Sequence, residues 1–502
     1  MAGIEEIRYG GTAEELKRDF SFRSAFGLAF VFISPIVALY AIYALTMQSA
    51  GPTLVWAFLF GLAGQLLVAV IFAELASKWP FEGSVYQWSR RLLGEGPAWW
   101  CGWAYMWCLL FSCATCGYIA AGFIPTVLHT SPFSKQQQVF VALGILICVT
   151  AVNTIGRAAL KLFIALSVIA ELVGSIGIGT TLLFFHHEHP VSTLFHSMGG
   201  AYGSGPYIWS GLFAATAFVG WSFVGFESAG AISEEVHDAA RAVPKAIIAS
   251  LICVGAVVIY SATALVLATP SYAPAISGQI PDPVANTISV QLGSGVQRAL
   301  FVLIIIGFFA TMLALQTSAS RVLWSKARDG VMIGSGFLKR LTTSDKLPTN
   351  SIVVCGVLSA LVIFTAESGK IYATLVSFSS IGFYIAFAFP VIGAALARIR
   401  GHWVPGPFRL GPVLAPLAVG VAAVWCVFET LNLAYPRAYP GMPWYLQYGT
   451  LIAIGIVGTA GFLIWLSVRG AIAEQETVLE REAPPLAMAH QRDVASVGAE
   501  RE

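Results

Sequence analysis

Residues 207–229 read YIWSGLFAATAFVGWSFVGFESA, an apolar run that carries one carboxylate, Glu227, with Gly225 two residues before it. About twenty residues of α-helix cross a hydrocarbon core of about 30 Å. The run is therefore long enough to span a bilayer, and it holds an acid inside the span. In hydrocarbon every backbone polar group needs a partner within the chain, which leaves helices as the natural spanning element. A glycine well inside such a helix weakens it locally.

Similar runs fill the chain in both directions. They lie near 24–48, 53–77, 98–127, 138–155 and 160–185 before this one, and near 244–268, 298–320, 350–367, 371–396, 411–434 and 447–468 after it. The segment 138–155 is the shortest of the first six. With 57% hydrophobic and 11% charged residues and a mean hydropathy of +0.76, the chain has more apolar surface than a soluble core can hide. The fold expected is an all-α polytopic membrane protein of twelve spans.

Lysine and arginine set its orientation, because segments on the cytoplasmic side keep positive charge. With the N-terminus inside, 24 of the 28 fall on inner segments, and the four outside are Lys135, Arg298, Lys370 and Arg437. Both termini are thus expected in the cytoplasm, with the plasma (inner) membrane as the location. The first residues, rich in Glu5, Glu6, Glu14, Glu15, Lys17 and Arg18, lack an apolar core, so no cleaved signal peptide is expected. The organisation reads as a cytoplasmic segment 1–23, a first five-helix unit 24–185, a second 207–396, two further spans over 411–468, and a charged tail 469–502 expected to stay clear of the bundle.

A second interruption lies five spans before the first. In span 1, Ser34, Pro35, Ile36, Val37 and Ala38 place a proline about ten residues into the membrane, where it removes a donor and clashes with the preceding turn. A five-helix unit followed by its copy necessarily inverts, so matched breaks in spans 1 and 6 fit an inverted 5+5 arrangement, and such breaks expose backbone groups to a polar substrate. The candidate substrate-binding residues are Ser34 to Ala38 together with Trp221, Phe223, Val224, Gly225 and Phe226. Glu171 lies near mid-depth in span 5, whose basic residue, Lys161, sits ten positions away at the span's edge; an acid at that depth is a functional candidate. Glu171 and Glu227 are the candidates for proton coupling. Glu74 and Glu429 sit near span ends, within expected reach of solvated headgroups and in structural roles.

Other features point elsewhere only weakly. Cys113 and Cys116 have the spacing of a redox pair but lie inside an apolar span, where cysteine packs as a small hydrophobe. His186, His187 and His189 crowd one outer loop with no partner ligand in the sequence, so no metal and no cofactor is expected. A net charge of +2 with no basic helix excludes a nucleic-acid partner. No HExxH motif or Ser/His pair suggests an enzyme, no ring of charges suggests a channel, and a membrane sensor would want a long cytoplasmic domain.

In order and spacing, Trp221 through Ser228 followed by Glu234, Glu235, Arg241, Pro244 and Lys245; Gln316, Ser320, Arg321 and Ala327 to Gly330; Ser380, Gly382, Tyr384 and Pro390; and Pro405 to Phe408 resemble the amino acid/polyamine/organocation (APC) superfamily, in its amino acid/choline branch. The resemblance implies a LeuT-type 5+5 inverted repeat plus two further helices, working as a permease by alternating access. It implies a small substrate held between the breaks, with Ser377, Ser380 and Tyr384 of span 10 contributing. Glu171 falls where several prokaryotic relatives carry a lysine that replaces a coupling sodium. Relatives often have a glycine-rich break in span 1 that cradles a substrate carboxylate, and this chain has Ser-Pro-Ile-Val-Ala. The partners implied are an amino acid, γ-aminobutyrate, choline or related amine, together with protons and lipid.

The charge asymmetry makes a direct prediction. A cysteine at Ser344, in the inner loop 321–349, should react with an impermeant thiol reagent only after the cells are opened; reaction from outside intact cells would invert the topology.

Overall fold

The computed structural model describes residues 19–201, 206–365, 372–437 and 443–482. Among the described residues the regular elements are helices, joined by turns and one isolated backbone pairing of Phe20 with Val236. Eleven helical segments are long and apolar enough to cross a membrane, and a further apolar helix, Thr349–Thr365, has 17 residues and ends beside the undescribed stretch 366–371. This is the polytopic helical membrane fold expected, with its spans in the expected order.

Bounds shift where polar groups find partners. The eighth helix runs Pro283–Arg328, well beyond the apolar stretch 298–320, with a bend at Gly293. At its outer end the Asp282 side chain accepts the Ala285 N–H at 2.9 Å and Pro283 occupies the first turn, so a polar segment can still start a helix. At its inner end Arg321 and Arg328 are ion-paired, which lets the helix continue as a charged one. The last helix likewise continues to Glu482, past the end of the apolar run. Gln475 accepts a hydrogen bond from Arg90 at 3.1 Å, the Glu476 carboxylate takes the Glu95 N–H, and Leu479 is buried, so the start of the tail packs against the end of the bundle instead of leaving it.

Spans 1, 6 and 10 are the most enclosed and span 12 the least, with spans 4, 5 and 11 also largely open to lipid. Span 3 packs against spans 8 and 10, span 2 against span 7, and span 1 against spans 7 and 8. The interrupted helices therefore lie at the centre of the bundle. On the outside, Leu162, Leu166, Ile169, Leu172 and Val173 of span 5 are exposed, as lipid-facing residues should be.

Two acids lie elsewhere than expected. Glu74 is buried, pairs with Arg398 and accepts the Leu410 N–H at 2.8 Å. With Ser77 accepting the Phe408 N–H at 2.7 Å, it fastens the loop after span 10 onto the inner end of span 2. Glu429 is buried as well, with Asn432 Nδ2 at 3.5 Å from both of its oxygens. Both are buried instead of solvated, Glu74 beneath Arg398 and the loop after span 10 and Glu429 inside the bundle, which a span-end position in sequence does not reveal.

Removing one partner of a buried pair leaves the other charge stranded, at about 3–5 kcal/mol. Glu74→Ala should therefore lower the melting temperature of the purified protein markedly, and Glu74→Gln, which still accepts the Leu410 N–H, should lower it less. Equal melting of all three proteins would show that the loop is held by other contacts.

Candidate functional site

The break in span 1 begins with Pro35. A residue before proline is pushed out of the helical region, and Ser34 adopts φ 49°, ψ 107°. The helix Phe22–Ile33 ends there, and a second, Pro35–Tyr40, starts with the proline in its first turn, where no N–H is missed. The remaining N–H groups of that turn are all taken. Ile36 donates to Glu171 Oε2 at 2.7 Å, Val37 donates to Ser34 Oγ at 3.1 Å, and the Ser34 hydroxyl itself donates to Glu171 Oε1. Glu171 thus reaches out of span 5 and closes the break in span 1 with an anion at a helix start, the end that favours negative charge.

Span 5 is shaped for this approach. Directly after Glu171 the helix widens into a π-turn over Leu172–Gly177, a feature frequent at functional sites. A Cβ on Gly174 would lie 2.8 Å from Ile36 Cδ1, so the glycine leaves room for the Ile36 side chain where the two spans approach.

The break in span 6 is built differently. The helix tightens into a 3-10 turn at Gly220–Phe223, then Val224 is extended and Gly225 has φ 114°, which favours glycine. Glu227 closes this loop on itself: Oε2 accepts the Gly225 N–H at 2.9 Å and Oε1 accepts the Tyr105 hydroxyl of span 3 at 3.0 Å. The breaks are joined where Ser222 Oγ donates to Ala38 O at 2.5 Å, and Thr311 of span 8 donates to Val31 O at 2.8 Å, covering a carbonyl at the end of the first half-helix.

Between the breaks lies a small cavity lined by Phe32, Ile33 and Val37 of span 1, Ser112 of span 3, Trp221 and Val224 of span 6, Thr311 and Leu315 of span 8, and Phe383 of span 10. Its enclosed space is roughly that of one water molecule. Trp221 Nε1 donates to Ser112 Oγ at 3.3 Å across it. Aromatic faces, apolar side chains and two hydroxyls suit a small molecule with an apolar or ammonium part.

Of the residues singled out in the sequence, Val37, Trp221 and Val224 line this cavity. Ser34, Pro35 and Ile36 form the Glu171-closed turn, and Ala38 offers its carbonyl to Ser222. Gly225 lies against the Phe32 ring. Phe223 packs edge-on to Phe58, and Phe226 packs between Phe72 and Phe387. On span 10, Ser380 donates to its own helix at Val376 O, the Tyr384 hydroxyl accepts from Gln65 at 2.9 Å, and Ser377 is half-buried. Phe32, Ile33, Ser112, Thr311, Leu315, Phe383 and Tyr105 escaped the sequence reading. Ser112 and Thr311 carried a faint signal, as hydroxyls in otherwise apolar spans. His189, in the outer loop, shares a hydrogen bond with the Thr269 carbonyl at 2.9 Å, and Cys113 and Cys116 are both buried and free.

A family model for amino acid permeases matches residues 20–478. The branched-chain amino acid permease BcaP of Lactococcus lactis is 26% identical over 80% of this chain and 86% of its own. The methylthioribose transporter of Bacillus subtilis is 27% identical over 81% and 85%. The GABA-specific permease of Saccharomyces cerevisiae is 24% identical over 90% and 82%.

Because a Cβ on Gly225 would run into the Phe32 ring, a change as small as Gly225→Ala should push that ring into the cavity. Substrate binding to the purified protein should fall about fivefold or more, since a strained φ and an overpacked ring together cost about 1–3 kcal/mol, while the protein stays monodisperse. Unchanged affinity would place the binding site elsewhere.

Proposed function

Because the chain belongs to the amino acid permease family, we propose that it imports an amino acid or a related small amine by alternating access, driven by protons. It is a multi-pass membrane protein and a permease, not an enzyme. Under this reading it sits in the plasma membrane with both termini in the cytoplasm. The substrate binds between the breaks of spans 1 and 6, near Val37, Trp221 and Val224. The named relatives support this range of cargo, since they include a branched-chain amino acid permease and a GABA-specific permease.

One observation carries the coupling: the Glu171 carboxylate holds the Ile36 N–H and the Ser34 hydroxyl at the break beside the cavity-lining Val37. A substrate carboxylate arriving there meets donors already held by another anion. Protonating Glu171 weakens its grip on them and removes a like charge, so proton and substrate assist each other's binding. Hydrogen bonds to charged groups are worth about 1.5–3 kcal/mol, so the proton is expected to raise affinity about tenfold or more. Glu227, closing the other break, is the second candidate carrier.

Glutamine at position 171 keeps the acceptor for Ile36 and loses the titration. In proteoliposomes, Glu171→Gln should still exchange substrate in counterflow but fail to concentrate it under an imposed pH gradient. If Glu171→Gln concentrates substrate like the parent and Glu227→Gln does not, coupling belongs to Glu227. If both concentrate it normally, the proton-driven reading fails.

A further inference from the structure

The cytoplasmic end of the bundle is closed by a buried cluster of charges. After span 2, the loop residue Glu82 lies against the turn after span 6, which carries Glu234 and Glu235, and against the inner end of span 8, which carries Arg321 and Arg328. Arg321 Nη2 pairs with Glu235 at 3.2 Å, and Arg328 pairs with Glu234 at 3.2 Å. The Glu82 N–H donates to Glu234 Oε1 at 3.1 Å, and Ser325 Oγ donates to the Glu82 carbonyl at 3.3 Å. The same turn holds the start of span 1: the Phe20 N–H donates to Glu235 O and the His237 N–H to Phe20 O, both at 2.9 Å. Segments adjoining four spans meet here, with Glu82, Glu235 and Arg321 buried and the Arg328–Glu234 pair about a quarter exposed at the edge.

The charges do not balance around Glu82. Glu234 and Glu235 are matched by the two arginines. The Glu82 side chain is 1% exposed, and neither of its oxygens has a hydrogen-bond partner among the described residues. Asp329, next along span 8, is engaged with Arg90 at 3.4 Å and Arg328 at 3.7 Å, and Arg90 also pairs with Glu95, so these offer no spare cation. Arg91 stacks on Phe81, 4.0 Å from the ring centre, and donates to Gln87. An ionised carboxylate sealed among anions, without a partner, is far too costly to persist. No group of acids, histidines or cysteines among the described residues is placed to hold a metal ion there, so the fitting ligand is a proton.

We propose that Glu82 is a proton-binding site built into a cytoplasmic gate, protonated while the gate is closed and releasing its proton to the cytoplasm when opening hydrates it. Burial pushes Glu82 well above the usual carboxylate range, Glu235 and Glu234 push it further, and Arg321 opposes them. The sign follows from the raised value. Closure is fully favoured below the ordinary carboxylate range and weakens as pH rises through the raised value, because a third negative charge then faces two arginines. The word gate rests on the alternating-access reading; the proton site rests on the cluster alone.

The test uses the full-length protein in lipid nanodiscs, with Ser233→Cys as a reporter in the buried turn and Ser344→Cys as an exposed reference in the same chain, labelling being resolved by mass spectrometry. Relative labelling of position 233 should climb with pH by up to about tenfold per unit between the ordinary carboxylate range and the raised value, and level off above a midpoint set by that raised value. Glu82→Gln should abolish the climb and keep labelling low. Glu234→Gln removes one anion facing Glu82 and should move the midpoint down by about one pH unit, which guards against a Glu82 variant that does not fold. A flat parent profile, a climb retained in Glu82→Gln, or an unmoved midpoint in Glu234→Gln overturns the site. Counterflow on the same preparations separates the two ideas. A parent that carries no substrate yet shows the Glu82-dependent climb keeps the proton site and sinks the transport reading; a transporting parent with a Glu82-independent climb does the reverse.

Discussion

A backbone N–H without a partner is hard to tolerate in hydrocarbon, and this constraint governs the centre of the molecule. Two helices are interrupted there, and each interruption frees donors that no neighbouring turn can take. The chain answers with a carboxylate at each: Glu171 from a facing span at the first, Glu227 from two residues along its own loop at the second. An acid that satisfies backbone donors is structural by that fact, and under the function proposed above its protonation would loosen the break it closes.

Enclosure is distributed to match. The interrupted spans sit in the middle, where span 3, span 8 and span 10 supply the walls, while spans 4, 5, 11 and 12 present their apolar side chains outward. Span 5 belongs to both regions. Ile169, Leu172 and Val173 face lipid, yet Glu171 points into the bundle and Gly174 lets the helix touch Ile36. The π-turn that follows lies where this lipid-facing helix presents one acid inward.

Positive charge serves twice in this chain. As a set, the lysines and arginines give the orientation expected from the sequence. Individually, Arg321, Arg328 and Arg398 hold Glu235, Glu234 and Glu74, tying the turn after span 6 and the loop after span 10 to the bundle. Charged residues can end a span without being solvated, as the buried inner end of the eighth helix shows.

What the sequence by itself determined were the properties carried by local pattern. Hydropathy over runs of about twenty residues marked the spans, charge asymmetry assigned their expected orientation, and the Ser-Pro and Gly-Phe-Glu interruptions in spans 1 and 6 marked where the helices fail, since proline and glycine act on their own backbone. Glu171 and Glu227 stood out because a carboxylate in an apolar run is conspicuous on its own. Only the tertiary structure decided what those residues face. It placed Glu171 on Ile36, 135 positions away, buried Glu74 and Glu429 against neighbouring helices, turned Phe226 and Ser380 into packing and helix contacts, and brought Ser112, Thr311 and Phe383 to the cavity. The physical reason is that burial and hydrogen-bond partnership in a bundle depend on which faces of separate helices meet, and the sequence of any one helix specifies its own faces but not the neighbour that covers them.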